Sequence, residues 1–132
     1  MLARLMQKMR SKKDTGDEAE RIAERYLQKQ GLHCIDRNYR CRFGEIDLIF
    51  HEESNQNSAE KTLVFVEVRL RKNDHFGGAA ASIGAAKQQR IIAAAQHYLS
   101  GMRELPPCRF DALLLNDLSG ERIEWLKDAF ST

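Results

Sequence analysis

The chain has 132 residues, with 21 Lys plus Arg against 19 Asp plus Glu, a formal charge of +2, and 42% hydrophobic and 30% charged residues. These values predict one domain whose core needs neither disulfides nor a structural metal, and they exclude a disordered or collagen-like chain. No stretch approaches the roughly 18 apolar residues of a membrane span, and MLARLMQKMRSKKD lacks the apolar centre and cleavage site of a signal peptide, so no membrane partner and a cytoplasmic location are expected.

Cys34, Cys41 and Cys108 are odd in number and form no CxxC pair, which fits free thiols. His33, His51, His75 and His97 show no zinc spacing. The charge is unevenly placed. Residues 1 to 13 carry Arg4, Lys8, Arg10, Lys12 and Lys13 and no acid, while the other 119 residues sum to −3. Residues 1–14 therefore read as a basic N-terminal arm, either a solvated tail or a phosphate contact, and residues 15–132 as a single domain.

In chain order, Ala19, Ile22, Ala23, Tyr26 and Leu27 follow the spacing of a one-sided helix over residues 17–30, stopped by Gly31. Leu32 to Tyr39 reads as a strand, and GEIDLIF, 44–50, as a second. The polar run 51–61 reads as a hairpin loop, which makes the next strand, LVFVEVRL at 63–70, antiparallel to the second. Residues 73–84, with Gly77, Gly78 and an Ala triplet, read as loop. The helical spacing returns from Ala85 to Leu99. After Pro106 and Pro107, residues 110–115 form a fourth strand, and 122–126 a fifth that pairs with it across the turn 116–121. The order αβββαββ predicts an α/β or α+β domain with one sheet covered by two helices. Tyr26, Tyr98, Phe110 and Trp125 fall in apolar register and are expected in the core.

The period of two places Glu45, Asp47 and Ile49 on one strand face, with Gly44, Ile46, Leu48 and Phe50 on the other. It groups Phe65, Glu67, Arg69 and Arg71 against Val64, Val66, Val68 and Leu70. Across the hairpin, Asp47 and Glu67 can converge. Like charges so close raise one another's pKa, and a divalent ion removes that cost by taking the oxygens as ligands. The alternative is a solvated face on which Arg69 or Arg71 pairs with Glu67. On the first helix, Glu20 and Glu18 border the buried stripe on either side, each about 100° from Ala19. Lys87 lies one turn before Ile91 and faces the sheet, either snorkelling or serving the same site.

The runs GEIDLIF, VFVEVRLR, HFGGAAASIGAAKQQRI, AAAQHYL, RFDALLL and WLKDAF, spread from Thr15 to Phe130, resemble the YraN family, the uncharacterised family UPF0102. That family is similar to archaeal Holliday-junction resolvases and to the restriction-endonuclease-like PD-(D/E)xK nucleases, and its members are described as predicted endonucleases. The resemblance implies a three-layer restriction-endonuclease-like fold. It assigns the catalytic acids to Glu20, Asp47 and Glu67. Mg²⁺ or Mn²⁺ is then expected on Asp47, Glu67, the Val68 main-chain carbonyl and Glu20, with Glu45 supporting. Where the family has Lys this chain has Arg69, which keeps its proton and so cannot act as a base. In some of these nucleases the lysine has moved to the following helix, where Lys87 stands. Ala81 replaces an acid usual in the loop before that helix.

Two functions compete on this reading. One is a metal-dependent DNA endonuclease acting on branched or recombining DNA, as a homodimer by family analogy. The other is an inactive relative that binds nucleic acid or a protein partner. DNA contacts are expected to be phosphate-dominated and sequence-independent, from the basic arm, Arg69, Arg71, Lys72, Lys87 and Arg90.

Overall fold

A computed structural model describes residues 12–53, 61–71 and 83–131. Helix α1 (Lys12–Lys29) precedes strands β1 (His33–Cys41), β2 (Gly44–Glu53) and β3 (Lys61–Leu70). Helix α2 (Ala85–Leu99) follows, then β4 (Cys108–Leu115) and β5 (Ile123–Phe130). The five strands form one mixed sheet in sequence order, parallel only between β3 and β4, where α2 lies in the connection. This α+β arrangement, αβββαββ with two helices about one sheet, is consistent with a restriction-endonuclease-like fold.

Each helix builds its own core layer. On one side Ala19, Ala23 and Leu27 of α1 pack against Leu48, Phe50, Val64, Val66, Leu113 and Leu115. On the other, Ile91, Ile92, Ala94 and Ala95 of α2 pack against Ile46, Ile49, Leu63, Phe65, Phe110 and Ala112. Central strand β3 is buried on both faces, which is why its sequence is an unbroken apolar run before Glu67. Gly31, at φ 99°, ends α1, and the Leu32 amide bonds back to the Leu27 carbonyl at 3.1 Å. Among the aromatics expected inside, Phe110 is buried, while Tyr26, Tyr98 and Trp125 are half-buried against the two layers.

Three differences from the sequence reading have physical causes. Helix α1 begins at Lys12, five residues before the expected start, so its first turn overlaps the segment read as an arm. The chain before it, with Arg4, Lys8 and Arg10, lies outside the described residues, as do Lys72 and Ala81. Strand β5 runs four residues past Leu126, because an irregularity sets residues 127–129 against the single Asp111 of β4. The face assignment of Ile46 is also corrected. Ile46 shares the α2 layer with Ile49, whereas Leu48 and Phe50 lie in the α1 layer, so the alternation breaks at Asp47. Across from Asp47, between the pairs Arg37–Leu48 and Tyr39–Ile46, stands Asn38 at φ 51°. A left-handed residue, tolerable for Asn, kinks the β1–β2 ribbon there and turns its outer half toward α2.

Asp111 organises the other irregularity. It is fully buried and accepts hydrogen bonds from Trp125 Nε1 (2.9 Å), the Asp128 amide (2.9 Å) and Arg109 Nε (3.0 Å). Arg109 in turn reaches Glu52 on β2 at 2.6 Å, so its guanidinium ties β4 to β2 while Asp111 ties β4 to β5. Removing one partner of a buried charge network strands the rest. Asp111→Ala should therefore lower unfolding stability by about 3–5 kcal/mol in a denaturant titration, with loss of the Trp125 environment visible in its fluorescence.

Candidate active site

The site lies where β2 and β3 part. Their ladder runs from Glu53–Lys61 to Leu48–Val66 and stops, leaving Asp47 and Glu67 as the next residues on the two strands. Instead of a main-chain bond, the Asp47 carboxylate Oδ2 accepts the Val68 amide at 2.8 Å. The Asp47 and Glu67 carboxyl groups lie close enough for each to bear on the protonation of the other. Glu67 is only 5% exposed. From the α2 side Lys87 Nζ stands 3.8 Å from Glu67 Oε1. From the α1 side comes Glu20, whose buried Oε1 has no hydrogen-bond partner among the described residues. One turn further along α1, Glu24 is bonded by Arg37 of β1, which pins that part of the helix to the kinked ribbon.

The electrostatics follow from this crowding. Burial pushes the Glu67 carboxyl well above its ordinary range, and the neighbouring Asp47 charge adds to that, while Lys87 and Arg69 oppose it. Asp47 is raised chiefly by burial, against the Val68 amide and the Lys87 charge. Glu20 is pushed up to about 7, first by burial and then by Asp47, Asp17 and Glu45. Electrostatics thus link Glu20 to Asp47, Asp47 to Glu67 and Glu67 to Lys87 through the gap between the helices.

The structure brings Glu20, Asp47, Glu67 and Lys87 together, and Arg69 is close enough for its charge to act on Glu67. Arg69 Nε is buried without a partner among the described residues. Glu45 is exposed, paired with Arg40 at 3.3 Å, and adds only its charge to the site. Arg71, expected among the DNA contacts, is held by Asn116 Oδ1 at 3.2 Å and Glu124 at 3.2 Å on the β4–β5 side. Arg90 is exposed on α2, its carbonyl against Gly44.

The model of an uncharacterised protein family, UPF0102, matches residues 19–115. The chain belongs to this family. A UPF0102 protein of Methylobacillus flagellatus is 56% identical over 119 residues, covering 90% of this chain and 98% of that one. A UPF0102 protein of Nitrosomonas europaea is 52% identical over 122 residues, covering 92% and 98%. One from Nitrosospira multiformis is 50% identical over 115 residues. The stretch matched by the UPF0102 model includes every carboxylate of the site and also Asp111.

The UPF0102 site offers hard oxygen donors, the type that suits Mg²⁺ or Mn²⁺. Among the described residues no three His, Cys, Asp or Glu side chains close around one point. The fit rests instead on the neighbouring Asp47 and Glu67 carboxyls and on the orphaned Glu20 oxygen, since a cation in the gap would offset their repulsion and give that oxygen a partner. Sequence reasoning missed Asn38 and Asp111. The first had a signal, an Asn in the middle of a strand pattern, and the second had only its place in RFDALLL.

The raised carboxyl pKa values fix how stability responds to pH. A carboxyl group whose pKa is higher in the folded than in the unfolded state binds its proton more tightly when folded, so its stabilisation is complete below the unfolded pKa. It is lost as pH rises from about 4.5 through about 7 for Glu20, and beyond for Glu67. In the presence of a chelator, the melting temperature should fall between pH 5 and pH 8.5. Glu67→Gln imitates the protonated acid toward Asp47 and should flatten that fall; an equally steep fall in the variant would contradict the raised Glu67 pKa.

Proposed function

We propose that this UPF0102 protein is a metal-dependent DNA endonuclease acting on branched or recombining DNA. The observation that carries the reading is the Asp47–Glu67 pair, two neighbouring carboxyl groups at the open end of a strand pair, with Lys87 Nζ 3.8 Å from Glu67. Such a pair is held at a cost in stability, and perturbed carboxyls of this kind cluster at functional sites. An Mg²⁺ or Mn²⁺ ion on Asp47, Glu67, the Val68 carbonyl and Glu20 would polarise a scissile phosphate and acidify a bound water.

The chain's own residues do the rest. Val68 fixes one Asp47 oxygen through its amide, so that carboxylate is oriented before any ligand arrives. Lys87 holds a mobile ammonium beside Glu67 and can neutralise phosphate charge or pass a proton. Arg69 remains protonated and can only bind or neutralise. Lys87, reaching the pair from the helix, thus supports the relocated-lysine arrangement over an Arg-impaired one. Symmetric cutting of a four-way junction takes two active sites, so the junction reading carries a homodimer with it. The inactive binding module stays as the second reading because Arg69 occupies the family's Lys position.

The test is cleavage of linear, flapped and four-way-junction DNA with Mg²⁺ and with Mn²⁺. Lys87→Ala should lower the cutting rate by about a hundredfold or more, and Arg69→Lys should change it little. Mn²⁺ at pH 8 should raise the melting temperature of the wild type and not that of Asp47→Asn combined with Glu67→Gln. A folded, Mn²⁺-stabilised wild type that cuts no substrate, together with an equally silent Arg69→Lys, would leave the non-catalytic module as the function.

A further inference from the structure

We propose that the tip of the β1–β2 hairpin and the adjoining side of α2 form a docking site for single-stranded DNA, in which an unpaired base stacks on Phe43. The phosphates flanking that base rest on Arg40, Arg42 and Arg90. The proposal rests on the reading of the chain as acting on DNA, and it does not require cleavage.

The hairpin closes between Cys41 and Gly44, so Arg42 and Phe43 form its tip. Phe43 is 44% exposed, a large apolar ring in a charged setting. The Arg42 guanidinium lies 4.7 Å from the ring centroid. His97 of α2 stands 5.9 Å away on another side, itself hydrogen-bonded to the Tyr39 hydroxyl. The tip is also fixed in place. A Cβ at Gly44 would come within 2.6 Å of the Arg90 carbonyl, so only glycine lets the hairpin lie this close to the backbone of α2.

Arg40, Arg42, Phe43, Gly44, Glu45 and Arg90 line one groove. Three guanidiniums against one carboxylate favour an anionic occupant. The Arg40–Glu45 pair is exposed at both ends, and such pairs exchange readily for phosphate. Glu45 of the groove stands two residues before Asp47 on the same strand, so the groove lies beside the carboxylates. An exposed aromatic ring in a basic groove is the stacking platform of proteins that bind unpaired nucleotides, and a continuous duplex keeps its base faces stacked away from it. Bound strand would thus enter the site from an unpaired region.

The test uses the full chain in EDTA, with a dye-labelled oligo(dT) and a blunt duplex of the same length followed by fluorescence anisotropy. Phe43→Ala should weaken single-strand binding by about fivefold to a hundredfold and leave duplex binding unchanged. Phe43→Trp should restore it. Arg42→Ala should weaken both and flatten the salt dependence. Unchanged single-strand binding by Phe43→Ala overturns the proposal, as does an equal loss on duplex. If the wild type shows the Phe43-dependent preference but never cuts with Mn²⁺, docking stands and the endonuclease reading fails. If the wild type cuts while Phe43→Ala binds and cuts as well, docking alone fails.

Discussion

The hydrogen bond from the Val68 amide to the Asp47 carboxylate sets the shape of this molecule. Past Leu48 and Val66 the two central strands no longer pair, and the Val68 amide lies at the inner edge of the opening. Left unpaired there, it would carry the penalty of a buried donor. A side-chain acceptor from the neighbouring strand removes that penalty while allowing the backbones to diverge. The kink at Asn38 belongs to the same event. It lies across from Asp47 and lets β1 and β2 turn together, carrying Ile46 into the α2 layer without breaking their own ladder. The opening admits Glu20 from one helix and Lys87 from the other, so both layers meet at one carboxylate.

That geometry leaves the site underfilled electrostatically. Glu20, Asp47 and Glu67 act on one another through their charges, and the cations opposing them are Lys87, 31% exposed at its side chain, Arg69 and, at Glu20, Arg40. Burial and this repulsion raise the Asp47 and Glu67 pKa values, so the folded chain binds protons there more tightly than the unfolded one. A bound proton and a bound divalent ion are alternative solutions to the same repulsion, and they exchange with pH in opposite senses. On the proposed reading, a divalent cation would therefore bind there more favourably as the medium becomes more alkaline, because the protonic solution is then withdrawn.

Helix α2 was legible over its full range because its apolar spacing is undisturbed, and β3 because a strand buried on both faces spells itself as Leu-Val-Phe-Val. The register of Asp47 and Glu67 could be read from the hairpin, since the ladder below them is regular. What failed was the assumption that alternation continues through Asp47. Counting by twos holds only while the backbone stays extended, and a single left-handed Asn on the partner strand is enough to shift Ile46 to the other layer. The partners of Arg71 were not legible either. Its side chain is captured by Asn116 and Glu124, residues 45 and 53 positions away, and nothing local to RLRK announces them. The start of α1 was obscured by Gly16 and by the charged residues of its first turns, which carry no apolar stripe.

Two aspartates thus sit at places where strand pairing is disturbed, and the contrast between them separates scaffold from the candidate site. Both accept a backbone amide where a ladder is disturbed, Asp47 from Val68 and Asp111 from Asp128. Asp111 is then saturated, with Trp125 and Arg109 supplying further donors and a full positive charge beside it. Its negative charge is neutralised within the protein, and nothing in its surroundings asks for a ligand. Asp47 has the same backbone bond, but its other neighbours are carboxyl groups, and its nearest full cation lies beyond Glu67. In sequence each is one acid on a strand. The donors around them differ, so that Asp111 closes the fold, whereas on the proposed reading the charge at Asp47 would be completed by a ligand from outside.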